Sequence, residues 1–347
     1  PKVYRKTFEK RPESLALQAK GQDIPYFFKD PCIMDVTTEY TQTRTIPLYK
    51  SLAQDSTIVY LAVFNNIRWV PVTWGISKEG HAEFKDMGCG IVYLPVQWTE
   101  GQIEPVGDPF LLERSGNGHT ILPDLASSGS VTLTRKYHPK DRTGNNLRLI
   151  AGGKFQVANQ EDFSDSLTLF TIPLHNRCKY ERVSTPHEGK YLYFRYLAPK
   201  GSHGIMAEVC PLDKSGKPIP QEELIGNKKS IEGYGIDKLF DGDPLTTFES
   251  RDADHVWAGI RFSTPTSVSQ IRYLARNDDN DIRENELYEL FYWANGNWNS
   301  LGKKTGTESG ELQFRKVPDN ALYLLHNHTK GREERIFTYE NEKQIWW

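Results

Sequence analysis

Short segments in which apolar and polar residues alternate recur along most of this 347-residue chain. Typical examples are TIVYLAVF at 57–64 and IRWVPVTW at 67–74, and most such segments end at Gly, Pro, Asn or Asp. A period of two is typical of a strand with one buried face. Only Ser14–Lys20 offers a short stretch with helical periodicity. We therefore expect an all-β fold of tandem antiparallel β-sandwiches.

The strongest hairpin signal lies between those two segments. Asn65 and Asn66 separate two apolar runs of similar length. Asn tolerates the positive φ angles that a two-residue hairpin turn requires. The sequence therefore predicts a hairpin over residues 57–74.

Changes in the pattern divide the chain into three expected domains. Residues 1–115 read as a basic linker followed by a small β-sandwich, and residues 116–212 as a second sandwich. Residues 213–347 read as a third, joined to the second by LDKSGKPIPQEE. The second and third domains also echo each other, because 131–159 and 268–295 share the order strand, polar loop, strand and Ala-Asn turn. We expect these two domains to be copies of one fold.

Composition argues against several classes of protein. A net charge of −2 lacks the basic excess that binding to a phosphate backbone requires, so nucleic acid is not an expected partner. No apolar run reaches the roughly 20 residues that cross a bilayer. The four cysteines form no CxxC pair, which argues against a zinc knuckle or a dithiol redox site. The start at Pro1, without Met or signal peptide, leads us to expect a processed piece of a longer protein.

Candidate chemistry is concentrated in the nonamer FDGDPLTTF at 240–248. Asp241 and Asp243 flank a glycine, and Pro, Leu and two threonines follow. Carboxylate, hydroxyl and carbonyl oxygens of such a turn can converge on one hard cation. The sequence therefore predicts a Ca²⁺ site, while a Lys ammonium or a sodium ion could occupy the turn instead. An ordinary Asp-Gly surface turn is the alternative interpretation.

The segments after this turn resemble a known family. HVWAGIRF, VSQIRYL, LYELFYW, NWNSLG, ALYLLHN and ERIFTY follow in the order of one antiparallel sandwich. Together with the DGD turn they are similar to the discoidin, or coagulation factor 5/8 type C, family of galactose-binding-like jelly rolls, over about 226–347. In that family calcium is a structural clamp held by the turn and by a Glu of the final strand. The resemblance implies the ligands Asp241, Asp243, Thr246 and Glu334, with Glu333 as a neighbouring alternative.

The resemblance also implies ligand capture by loops at one rim of the sandwich. There an aromatic ring stacks on a sugar, and charged groups form hydrogen bonds with its hydroxyls. The loop ARNDDND at 275–281 suits a polyol, although a solvated connection would look the same. Trp257 could supply the ring contact or belong to the core of its strand. The candidate carbohydrate-binding residues are His255, Trp257, Arg276, Asn277, Asp278 and Asp279.

A wider resemblance covers the whole chain. RYLAPKGSHGIMAEV, FDGDPLTTF and YELFYW, with the ending ERIFTYENEKQIWW, are similar to C-terminal regions of secreted bacterial proteins. The N-terminal parts of those proteins are transglutaminase-like or glycan-active hydrolases. This resemblance implies a non-catalytic, exported accessory region that binds carbohydrate or glycoprotein for an upstream catalytic domain. The expected location is periplasmic, cell-surface or extracellular.

Two further classes of function stay open. The sandwiches could be structural, orienting the upstream domain or mediating protein contacts. They could also form an enzyme with its site at a domain junction. The chain has no GxSxG, HExxH or P-loop motif, so we expect no catalytic activity in this chain.

Overall fold

The computed structural model describes residues 4–7, 32–35, 39–49, 54–136, 142–185, 187–227, 229–277, 279–330 and 335–347. For 4–7, 32–35 and 142–145 it describes the backbone alone. The helical candidate Ser14–Lys20 lies outside the described residues. The described chain is built almost entirely from antiparallel β-sheets, so the all-β expectation is confirmed.

Two compact units account for these elements. Unit 1 comprises residues 1–138 and 282–347, and unit 2 comprises residues 139–281. Unit 2 is therefore an insertion in the chain of unit 1. This division differs from the expected one into 1–115, 116–212 and 213–347. The difference arises because strands far apart in sequence pair with each other.

Unit 1 begins with eleven strands. They are β1 (Tyr4–Thr7), β2 (Cys32–Asp35), β3 (Tyr40–Pro47), β4 (Ile58–Phe64), β5 (Trp69–Lys78), β6 (His81–Gly88), β7 (Ile91–Thr99), β8 (Gln102–Pro105), β9 (Phe110–Leu112), β10 (Gly118–Thr120) and β11 (Asp124–Leu133). An eight-stranded sheet has the order β10-β9-β7-β4-β5-β6-β3, with β8 paired to β7.

The predicted hairpin at 57–74 is confirmed, with a longer turn than expected. Strands β4 and β5 are antiparallel, and Phe64 lies opposite Trp69. The loop between them has four residues, closed by a hydrogen bond from the Asn65 N–H to the Arg68 carbonyl (3.0 Å). Only Asn66 of the two asparagines has a positive φ, 76°. The Asn65 side chain instead accepts the backbone N–H groups of Ile67 and Arg68.

Unit 2 contains one helix and eight strands in its described part. They are α1 (Arg142–Ile150), β12 (Lys154–Ala158), β13 (Leu167–Thr171), β14 (Glu181–Ser184), β15 (Tyr191–Leu197), β16 (Met206–Leu212), β17 (Glu223–Gly226), β18 (Trp257–Thr266) and β19 (Gln270–Ala275). A short 3₁₀ helix spans Ile236–Leu239. Helix α1 lies where we expected a polar loop, and it contributes Leu147 and Ile150 to the core of the unit.

The strands of unit 2 form a β-sandwich. One sheet has the order β13-β12-β15-β18-β17 and the other β14-β19-β16. Side chains from both sheets share one core, in which the rings of Phe155 and Tyr273 lie 5.1 Å apart. Successive residues of β15 alternate between core and outer face, so Phe194 and Tyr196 are buried while Arg195 points outward.

The chain then returns to unit 1 with six more strands. They are β20 (Leu287–Ala294), β21 (Asn297–Thr305), β22 (Leu312–Asp319), β23 (Tyr323–Asn327), β24 (Ile336–Glu340) and β25 (Lys343–Trp346). Five of them form a sheet of order β21-β20-β23-β24-β25, and β22 pairs with β11. Strand β23 is buried on both faces, because Tyr323 and Leu325 join one core while Leu322 and Leu324 join another. Such two-sided burial explains the continuous apolar run ALYLL.

The expected duplication is wrong. Strand β12 pairs with β13 and β15 as β20 pairs with β21 and β23, so part of the echo corresponds to real pairing. The last strands of the two proposed copies differ, because β16 pairs with β19 whereas β24 pairs with β23. The proposed second copy also runs across the boundary between the two units.

A buried ionic network in unit 1 joins the points where the chain leaves and re-enters it. Lys136 and Glu286 are both buried, with Nζ 3.5 Å from Oε2. Glu286 also accepts hydrogen bonds from Tyr288 (2.6 Å) and Asn327 (2.9 Å), and Lys330 Nζ lies 3.7 Å from it. The network therefore holds the two ends of the insertion together.

Replacing Glu286 with Gln should destabilise unit 1 by about 3–5 kcal/mol, because the ammonium groups of Lys136 and Lys330 would each lose a buried carboxylate. Urea unfolding would measure this loss. The control is Glu83→Ala, which removes an exposed ion pair with Lys85 and should cost no more than about 1 kcal/mol. Equal small losses in both variants would show that the network does not hold the unit together.

Candidate functional site

The turn at 240–248 forms as the sequence predicts. An Asp241 carboxylate oxygen accepts the Asp243 N–H at 3.0 Å, and an Asp243 oxygen accepts the Leu245 N–H at 2.9 Å. Between them Gly242 has φ 77°, a conformation that costs glycine little. The side chains thus fold the backbone locally and place the two carboxylates on one turn.

Thr246 is the point on which the oxygen atoms of this turn converge. Its hydroxyl lies 3.0 Å from both carboxylate oxygens of Asp241. The backbone carbonyls of Asp243 and Lys238 are 3.2 and 3.3 Å away. The structure therefore brings together three of the four predicted ligand residues. The fourth, Glu334, lies outside the described residues, as do Glu333 and the carbohydrate candidate Asp278.

Glu208, on β16, is a site residue that the sequence analysis missed. Its side chain is buried, with 5% exposed. Burial first, then a hydrogen bond with Asp241 and the charges of Asp241 and Asp243, raise its pKa to about 9, and the Gly242 N–H opposes them. One carboxylate oxygen, Oε1, is buried without a hydrogen-bond partner among the described residues. The available signal was a charged residue within the apolar strand MAEVCPL.

A short backbone bridge sets Glu208 against the turn. Phe248, at the end of the nonamer, donates its N–H to the Met206 carbonyl at 2.9 Å. Met206 precedes Glu208 by two residues on β16, and both Met206 and Phe248 are buried in the core of unit 2. Packing of the sandwich therefore forces the carboxylate of a strand towards the carboxylates of a turn.

One ammonium group lies at the same turn. Lys238 Nζ is 3.4 Å from Asp241 and 3.3 Å from Asp237. Hydrogen bonding to Asp237, followed by the charges of Asp237 and Asp241, raises the pKa of Lys238. This is the alternative occupant that the sequence left open. Within the described residues, no group of three or more His, Cys, Asp or Glu side chains is arranged as a metal site.

The chemistry of the donors distinguishes between metals. Glu208, Asp241, Asp243 and Thr246 present oxygen atoms only. Oxygen ligands suit hard cations such as Ca²⁺, whereas zinc sites favour nitrogen and sulfur. The unpartnered oxygen of Glu208 adds a buried acceptor to this set. The donor atoms are therefore of the type that calcium takes, while their side chains are not arranged as a metal site within the described residues.

The predicted rim residues do not form one exposed patch. His255 is highly exposed, with 92% of its side chain accessible. Trp257 is half-buried and lies outside the sandwich core, with its ring centroid 5.4 Å from that of Phe163. Trp257 is therefore not a core residue, which was the alternative interpretation of this side chain.

The loop at 275–281 braces the turn. Arg276 forms an ion pair with Glu249 at 2.8 Å, and Asn277 donates to the Pro244 carbonyl at 2.8 Å. Asp279 has no exposed surface. A side chain without exposed surface cannot contact a sugar in this conformation, so Asp279 does not belong to the accessible part of a carbohydrate site.

A second missed group lies on the outer face of the five-stranded sheet. Arg195, on the central strand β15, donates from Nε (2.9 Å) and Nη2 (2.8 Å) to the side-chain oxygen of Gln156. Its guanidinium carbon lies 4.1 Å from the centroid of Phe163 and 5.4 Å from that of Trp257. We call Arg195, Gln156, Phe163 and Trp257 the Arg195 cluster. The signal was a charge at the centre of YLYFRYL.

Comparisons with known protein families, with curated proteins and with solved structures found no match for this chain. In the described part of the chain, no helix is long and apolar enough to cross a membrane. The interpretation of the site therefore depends on its own geometry.

Without calcium, the stability of unit 2 should fall as the pH rises. The Glu208 carboxyl ordinarily has a pKa of 4.5, but folding raises it to about 9. Between these values the folded state holds a proton that the unfolded state has lost, so higher pH favours unfolding. Urea unfolding in EDTA from about pH 5 to about pH 9 would measure the decline.

Glu208→Gln should flatten this pH dependence, because the amide does not titrate. The exposed Glu188→Gln variant should keep the dependence of the wild type. Identical pH profiles for Glu208→Gln and the wild type would show that Glu208 is not a buried, protonated acid.

Proposed function

We propose that unit 2 is a calcium-clamped β-sandwich that binds carbohydrate or glycoprotein. In this proposal the chain is a non-catalytic accessory region of an exported bacterial enzyme. The single observation that carries it is Glu208, a buried carboxylate facing the two carboxylates of the DGD turn. A buried carboxylate has to be neutralised by a proton or a cation.

Calcium accounts for this arrangement better than Lys238 alone. Asp241 and Asp243 both act electrostatically on Glu208, whereas the Lys238 ammonium contacts only Asp237 and Asp241. The Thr246 hydroxyl and the Lys238 and Asp243 carbonyls supply further oxygens, towards the six to eight that calcium takes. When bound, the ion would supply the positive charge that ties β16 to the turn.

The donor set is of the kind that the discoidin-like interpretation implies, while the segments that carry the resemblance divide between unit 2, up to residue 281, and unit 1, from residue 282. The resemblance implies turn carboxylates, a turn carbonyl, a Thr hydroxyl and a Glu from a strand. In our proposal Glu208 takes the role expected of Glu334. Carbohydrate binding follows from the resemblance, and Trp257 beside Arg195 on the outer sheet face offers an aromatic ring for a sugar.

Calcium should raise the unfolding midpoint of the wild type above its value in EDTA. At about 100 times its dissociation constant the ion should add about 2.7 kcal/mol, because it binds only the folded state. Asp241→Asn and Glu208→Gln should each abolish the gain in thermal melts.

The matched control is Asp213→Asn, in an exposed turn where Asp213 accepts the Ser215 and Lys217 N–H groups. Its calcium response should equal that of the wild type. Equal midpoints of the wild type with calcium and with EDTA would contradict the clamp.

A glycan array tests the carbohydrate half of the proposal. The wild type should bind at least one class of glycan, and Trp257→Ala should weaken that binding because the ring no longer stacks. Trp98→Ala is the control, since Trp98 is an exposed tryptophan of unit 1. Absence of any bound glycan, with and without calcium, while a known carbohydrate-binding module binds, would contradict the proposal.

A second candidate function has its own supporting observation. On β5 of unit 1, Val72, Trp74 and Ile76 share one face of the strand and are exposed by 54%, 61% and 47%. Ile58 on β4 lies opposite Ile76. Such an apolar surface suits contact with another protein, in line with sandwiches that orient a catalytic domain. Two results together would favour this function. No glycan would bind on the array, and cross-links would connect this surface to the catalytic domain of the longer protein that we propose.

A further inference from the structure

The Arg195 cluster occupies the centre of the outer face of the five-stranded sheet. Gln156 lies opposite Arg195 on β12, and Gly259 lies opposite it on β18. Gly259 contributes no side chain, and a Cβ there would come within 2.3 Å of the Phe194 carbonyl. The guanidinium therefore has a polar neighbour on one strand and bare backbone on the other.

Among the described residues, the groups that contact this guanidinium are neutral. Gln156 is buried, and its amide nitrogen donates to Thr168 at 3.0 Å, which fixes the oxygen that accepts from Arg195. Phe163 and Trp257 provide aromatic contacts. Among the described residues no carboxylate lies within 4.0 Å of Arg195.

Two other arginines of unit 2, Arg261 and Arg276, are paired with carboxylates. Arg261, two rows further along the same outer face, lies 3.1 Å from Glu222 and 3.3 Å from Glu223. Arg276 lies 2.8 Å from Glu249. Arg195 thus differs from these two arginines in lacking a counter-ion within the described chain.

Asp162 and Asp165, two acidic residues close in sequence to Phe163, stabilise the loop that contains them. Asp165 accepts the backbone N–H groups of Asn159 and Gln160, and Asp162 accepts the N–H and hydroxyl of Ser164. These contacts hold the loop that carries Phe163, and neither carboxylate forms an ion pair with Arg195. The charge of the guanidinium is left for a partner outside the described chain.

An unpaired guanidinium that is partly removed from water is costly. Burial lowers the pKa of Arg195, which shows the direction of that cost. An anion would offset it, because charge-assisted and bidentate hydrogen bonds to Arg are the strong ones. Nη1 donates to no described residue and is therefore available for such a bond.

We propose that the outer face of this sheet binds an anionic sugar, with Arg195 pairing with its acidic group and Trp257 stacking on its ring. The proposal rests on the proposed function of unit 2 as a carbohydrate-binding sandwich, and it adds the class of ligand. A carboxylate of a uronic acid and a sulfate ester share the chemistry that Arg195 recognises. Gln156 is then a positioning residue, because it orients Arg195 and does not itself contact the ligand.

Isothermal titration of the full chain with three probes tests this proposal. The probes are an oligomer of galacturonic acid, a sulfated galactose oligomer and the neutral galactose oligomer of equal length. The wild type should bind at least one anionic probe about tenfold or more tightly than the neutral one, as one charge-assisted contact allows. The two anionic probes distinguish a carboxylate ligand from a sulfate ligand.

Arg195→Gln should remove the preference for the anionic probe and leave weak binding that is equal for both. Arg261→Gln, which alters a paired arginine on the same face, should keep the preference. Arg195→Lys retains the charge without the planar fork and should keep part of the preference, which covers the case in which Arg195→Gln fails to fold. Trp257→Ala should lower the affinity for all three probes by a similar factor.

The outcomes separate this inference from the proposed function. Neutral and anionic probes bound with equal affinity would overturn the anionic class and leave carbohydrate binding intact. An anionic preference that Arg195→Gln and Arg195→Lys leave unchanged would place the site elsewhere and overturn the role of Arg195. Binding of none of the three probes, together with a silent glycan array, would overturn both.

Discussion

A charge removed from water has to find a partner, and the buried charges of this protein differ in what they find. Glu286 in unit 1 faces two ammonium groups and two hydrogen-bond donors. Glu208 in unit 2 faces other carboxylates. Arg195 faces aromatic rings and an amide. The first group is complete within the fold and holds it together, while we propose that a cation completes the second and an anion the third.

Alternation of apolar and polar residues was sufficient to predict the strands, because each strand buries one or both faces. It could not predict the insertion of unit 2. That arrangement depends on the pairing of β11 with β22, whose residues are far apart in the sequence. Helix α1 was missed for a local reason, since only Leu147 and Ile150 mark its buried side within nine residues. The four-residue hairpin turn shows the same limit, because side-chain capping by Asn65 replaced one of the expected positive φ angles.

The residues of the candidate site also differ in whether the sequence could predict them. Asp241, Asp243 and Thr246 were predictable because a single turn holds all three within six residues. Glu208 was not, because its approach depends on the bridge between Met206 and Phe248 across the sandwich. The polar loop at 275–281 suggested a ligand surface, yet Arg276 and Asn277 use their side chains to brace the turn. Calcium and an anionic sugar would therefore act on different parts of one sandwich, one stabilising the fold and the other bound by it.

A structure determined from crystals grown with calcium tests most directly the central claim, that calcium binds between Glu208 and the turn. We predict one ion enclosed by Glu208, Asp241, Asp243 and Thr246, with about six to eight oxygen ligands at about 2.3 to 2.6 Å. In that structure Lys238 should no longer contact Asp241. The account would be contradicted by a turn that holds no ion at saturating calcium, with the Lys238 ammonium remaining against Asp241 and Glu208 still facing the carboxylates without a cation.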